Sequence, residues 1–145
     1  MGFRFSLATV LRFREGIEQQ EERALGRILA ELAQVRDRIE TLTEEIPRAR
    51  QMLEQAMQQT MSAIDIALMT DQIDGILRRR EELIALVSEL ERQREAQNKR
   101  YLEAHKRRQM LSDLQDRQRE EYELERTRAE QKFLDGVFAS RAQRG

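Results

Sequence analysis

The chain has 145 residues, room for one ordinary domain, and is 37% charged and 5% aromatic, with one proline and no tryptophan. That mixture suits long helices or a coiled coil and excludes a wide globular core, while the lack of cysteine excludes disulfides and thiolate metal sites. A net charge of −1 leaves no nucleic-acid footprint for the molecule as a whole. There is no apolar run of about 18 residues and no signal-peptide core, so a soluble, cytoplasmic protein without direct membrane insertion is expected.

Residues 2–14, GFRFSLATVLRFR, open the first helix, with Ser6 as a candidate cap and Leu7, Val10, Leu11 and Arg14 on one face. From residue 25 to 46 the apolar positions are Leu25, Ile28, Leu32, Val35, Ile39, Leu42 and Ile46. They step by three and four in alternation, the heptad rhythm that keeps one narrow seam against a partner helix. Carried backwards, the same phase falls on Glu21, Glu18, Arg14, Leu11 and Leu7. Two readings compete there: a local rotation of the seam onto Ile17 and Ala24, or a polar layer that fixes register.

Pro47 removes one helical hydrogen bond, yet Ala49, Leu53 and Ala56 keep the phase beyond it. A kink within a continuing helix is expected, an outright break being the alternative. Ser62 and Asp65 have capping-box spacing and start a second helix. Its seam is Ile66, Met69, Ile73, Ile76, Leu83, Val87 and Leu90. Apolar residues then thin out before returning as Phe133, Leu134, Val137 and Phe138.

The expected fold is therefore all-α: two long helices forming an antiparallel coiled-coil hairpin, the second longer and overhanging. Helix one should cover about residues 6–59, a turn about 60–62 and helix two about 63–140, as a single domain. Counting outward from residue 60 sets Ile46 against Ile73 or Ile76, Leu32 against Val87, and Ile28 against Leu90 or the stem of Arg94. Charge supports this direction. Residues 15–45 hold nine acids and four bases, whereas KRYLEAHKRR at 99–108 holds five bases and one acid. Glu15, Glu18, Glu21 and Glu22 should thus lie near Lys99, Arg100 and Lys106.

Chemistry-bearing constellations are sparse. His105 is the only histidine and has no second ligand type for a metal site. The 106–108 cluster KRR reads as a solvated face pairing with the acidic half of helix one, contact with phosphate or an acidic partner being the alternative; the methionines at 52, 57, 61 and 69 read as packing around the turn, an adaptable binding surface being the alternative. No glycine-rich phosphate loop and no catalytic acid pair appears in a convincing context, so nothing points to an enzyme or a cofactor. Phe133, Leu134, Val137 and Phe138 stand apart, because no helix of this chain reaches them. They belong either to a frayed end or to a partner-binding face.

FRFSLATVLRFRE at 3–15, the glutamate-rich helix after it, LQDRQ at 114–118 and RAEQKFLD at 128–135 together resemble the flagellar export FliJ family over nearly the whole chain. Two departures stand out. Leu134-Asp135 continues with Gly136-Val137-Phe138 instead of a glutamate and a small residue, and Asp71, Gln72 and Ile73 stand where members often carry aromatics. The resemblance implies a non-enzymatic stalk of the type III export apparatus, seated in the hexameric export ATPase, promoting its assembly and linking it to the membrane export gate. It also implies export chaperones as partners and a place at the inner face of the cell membrane. On this reading Phe3, Phe5, Leu7, Leu11, Phe133, Leu134, Val137 and Phe138 meet the ATPase ring, and Leu42, Ile46 and Ile76 face the gate. The competing expectations are a stalk of a virulence-type secretion system, a scaffold self-associating through the 25–46 seam, and a nucleic-acid-binding helix at 99–108.

Overall fold

Sequence period and packing agree in the computed structural model, which describes residues 2–144. The chain is an all-α helical hairpin. α1 spans Ala8–Met57 and α2 spans Ala63–Arg144, 50 and 82 residues long, joined by residues 58–62. α1 has no acid in its first turn and no base in its last, so its macrodipole is uncompensated and packing must hold it. α2 has Asp65 at its start and Arg141 and Arg144 at its end, the favourable polarity.

The start of α2 is fixed by a cap. The Ser62 hydroxyl accepts from the Asp65 backbone N–H at 3.2 Å and donates to the Asp65 carboxylate at 2.8 Å. Asp65 thus reaches the hydroxyl of Ser62, where the capping-box pattern has it reaching the backbone amide. Ser62→Ala is expected to cost about 0.5–2 kcal/mol, read as a drop in the urea midpoint. A midpoint unchanged by this substitution would mean the cap contributes nothing.

α1 runs through Pro47 without a break, and Ala49, Leu53 and Ala56 are half-buried beyond it while Pro47 faces solvent. The ring therefore sits on the outer side of the helix, and the seam continues.

Contacts divide the chain into two units: residues 22–100, and residues up to Glu21 with those from Tyr101 onward. In the first, all fourteen predicted seam residues from Leu25 to Leu90 are buried or half-buried. Leu32 and Leu90 are the most deeply covered, at 1% and 2% exposure. The helices are antiparallel, since the Arg36 guanidinium pairs with Glu91 and Arg80 Nε donates to Thr43 Oγ1 at 2.8 Å. Each α2 partner lies several residues beyond the position an even count from residue 60 gives. Helical side chains lean toward their own N-terminus, so α1 side chains lean away from the link and α2 side chains toward it. Contacting pairs are displaced accordingly. Arg94, then Arg36, also hold the Glu91 carboxyl below the usual carboxylate range. This ion pair is formed at neutral pH and is lost as pH falls through that depressed value.

In the second unit the antiparallel pairing is carried by polar groups. Leu11 and Ala104 are buried, and between α1 and α2 the Glu18 carboxylate accepts from Arg108 Nε at 2.9 Å and lies 3.0 Å from His105 Nδ1. Arg108 donates onward to Ser112 Oγ at 3.2 Å. The Glu18 and Arg108 side chains are 17% and 20% exposed. Here the seam keeps its phase through a polar layer, with Ile17 half-buried beside it.

Candidate interaction surfaces

Among the described residues no group of three His, Cys, Asp or Glu is arranged to hold a metal ion, and no helix is long and apolar enough to cross a membrane. Among the described residues two exposed surfaces are apolar, one in each unit.

The first begins where α1 stops covering α2. Residues before Ala8 lie along α2: the Phe3 ring meets Tyr122 at a centroid distance of 5.7 Å, and the Arg119 guanidinium lies 5.5 Å from the Phe3 centroid. Phe5 is buried, and its carbonyl accepts from the Ala8 N–H at 3.1 Å. Beyond Tyr122 every described residue of α2 is exposed except Val137, which is half-buried. Phe133 and Phe138 are 71% and 66% exposed, and Leu134 is exposed beside them. On a helix these four positions share one side, since 133, 134, 137 and 138 fall within about 140° of arc. Isolated apolar surface residues are ordinary; two phenylalanines and a leucine on one uncovered helical face are not.

The second apolar surface lies by the link. Met52, Met57, Ile64 and Leu68 are exposed, and Met61 and Met69 half-buried. The methionines at 52 and 57 were expected to pack around the turn. They do not, because the seam beside the link is already filled by Leu53, Ala56, Ile66 and Met69.

The residues expected at partner interfaces therefore divide. Phe133, Leu134 and Phe138 are open, Phe3, Leu7, Val137 and Ile76 half-buried, and Phe5, Leu11, Leu42 and Ile46 buried within their own units. The buried four are covered by their own units. Sequence reasoning passed over Phe13, 63% exposed with the Arg14 guanidinium 5.9 Å from its ring centroid. It also treated His105 as inert, where the ring pairs across the helices and sits 6.0 Å from Tyr101. Lys99 pairs with Glu95 and Arg107 with Glu103, both on α2 itself, so only Arg108 of the KRR cluster turns toward α1.

Against known proteins, residues 3–145 match the family described as flagellar FliJ protein. The chain belongs to the FliJ family. The match spans both units, including the FRFSL segment and the exposed aromatic tail. It places the chain among flagellar export-related proteins. No curated protein and no solved structure matches the chain. The self-associating scaffold built on residues 25–46 loses its basis, because that seam is covered by α2 of the same chain.

Proposed function

We propose that this chain is the non-enzymatic stalk of the flagellar type III export apparatus, in the cytoplasm at the inner face of the cell membrane. It seats in the hexameric export ATPase, promotes assembly of the ring and couples it to the cytoplasmic part of the membrane export gate. Export chaperones are its further partners.

The observation that supports this reading is the open aromatic face of α2 after Tyr122, where two phenylalanines and a leucine stand uncovered. A stalk must carry side chains that the hairpin does not cover, and Phe133, Leu134 and Phe138 are such side chains. They dock on the ring, with Val137 at the base of the face and with Phe3 and Leu7 at its edge; Phe5 and Leu11 hold the N-terminal segment in place behind them. At the gate, Leu42 and Ile46 keep the helices paired, so contact around them falls to Ile76 and the exposed positions nearby.

The test is hydrolysis of ATP by the cognate export ATPase, titrated with this protein. Stimulation that saturates is expected for the full chain and is lost when residues 128–145 are removed. Phe133→Ala with Phe138→Ala should weaken binding by roughly tenfold or more, since a buried aromatic anchor contributes about 2 kcal/mol. Helicity by circular dichroism should not change. Binding as tight as that of the unaltered chain would remove this face from the ring interface.

A further inference from the structure

The exposed tail carries a pattern that ring docking does not require. Glu130, Leu134, Val137 and Arg141 step by four, three and four, a short heptad seam running down the open face. Read in the opposite direction the seam matches itself, with an acid at one end, a base at the other and two aliphatic residues between. Such self-complementarity is what a two-fold interface needs, because each contact is made twice with the roles exchanged.

We propose that the free protein forms an antiparallel dimer through this seam, the occupant of the open face being the same face of a second copy. Leu134 of each copy lies opposite Val137 of the other, and Glu130 of each lies opposite Arg141 of the other. In antiparallel coiled coils the a and d positions of one helix meet the d and a positions of its neighbour, and this register satisfies that rule at all four places.

The flanks agree with the seam. Phe133 lies to one side of it, at the edge of a depression left by Gly136 and Ser140 and lined also by Lys132, Val137, Arg141 and Arg144. A two-fold axis perpendicular to the two helices keeps each flank on its own side. The Phe133 ring of one copy therefore meets the depression of the other, large side chain against small. Within its own helix Glu130 is paired only with an exposed neighbour four residues away, Arg126 at 3.5 Å. A surface contact of that kind leaves the carboxylate able to accept from a second cation. Elsewhere in the chain the apolar seams are already covered, whereas Phe133, Leu134 and Phe138 are open.

The interface is small, so the dimer is a weak, reversible one. It covers the same phenylalanines that the ring takes up, and docking and dimerisation therefore exclude one another. Free chains hide their apolar tails against each other until a ring is available.

The test is sedimentation equilibrium of the full chain from the micromolar to the millimolar range at low salt. The mass is expected to rise toward that of two chains. Glu130→Arg alone, or Arg141→Glu alone, sets two like-charge pairs across the interface and should weaken dimerisation by about tenfold or more. An equimolar mixture of the two variants restores both opposite-charge pairs and should dimerise again. A chain that stays monomeric throughout would assign the face to a different partner and overturn the proposal. So would single variants that dimerise like the unaltered chain, or a mixture that does not recover. Both variants keep Phe133 and Phe138, so their binding to the export ATPase tests the ring reading separately.

Discussion

Leu32→Ala is expected to destabilise the chain by about 2–5 kcal/mol, the largest effect of any single truncation in the seam. Leu32 is 1% exposed, the most buried side chain described. It sits where only two helices meet. No third layer exists in residues 22–100 to move into the space, so the cavity cannot collapse without separating the helices. Seam packing is also the main stabilising term for α1, which lacks helpful charges at both ends. The measurement is urea unfolding followed by circular dichroism, with Leu29→Ala as the comparison. Leu29 lies one turn earlier on the same helix but is 46% exposed, and its loss should fall within about 0.5 kcal/mol of zero. Equal effects at the two positions would mean that the seam does not lie where the heptad places it.

Glu18→Leu is expected to cost about 1.5–3 kcal/mol, the range for losing hydrogen bonds to a charged group. The substitution leaves Arg108, only 20% exposed at its side chain, without the carboxylate that it and His105 share. Adding Arg108→Leu should recover most of the loss or exceed the original stability, because an apolar pair at a seam position avoids the desolvation both charges incur. Register should suffer in the double variant, since two leucines pack at more than one offset while a carboxylate and a guanidinium do not. Thermal unfolding of the two singles and the double gives the coupling energy. Cysteines placed at Phe3 and Tyr122, whose rings meet in the folded chain, report the register by how readily a bifunctional maleimide cross-links them. A double variant no more stable than Glu18→Leu, with cross-linking undiminished, would show that the polar layer neither costs stability nor sets register.

Much of this molecule was legible in its residues. The two seams, the Ser62 cap, the helical character across Pro47 and the antiparallel order follow from local period and from one short link. Each depends on neighbours within a few turns, and α-helices obey such rules without reference to the rest of the fold. The FRFSL and RAEQKFLD segments carried the family in the same local way.

Other features depended on what stands across the interface. A seam position says that a side chain faces a partner helix, but not how far along that helix its contact lies. The lean of side chains toward each N-terminus decided that, placing Glu91 against Arg36 and Arg108 against Glu18. The burial of Phe5, Leu11, Leu42 and Ile46 within their own units was not legible for the same reason, since an apolar side chain reads alike whether it meets its own chain or another. Met52 and Met57 were misread for the complementary reason: near a link, a local pattern does not tell which side chains fill the remaining space. The sequence by itself determined two helices, their seams and their order. Only the tertiary structure decided which apolar side chains the pairing leaves over, because burial belongs to the assembled pair and to neither helix alone.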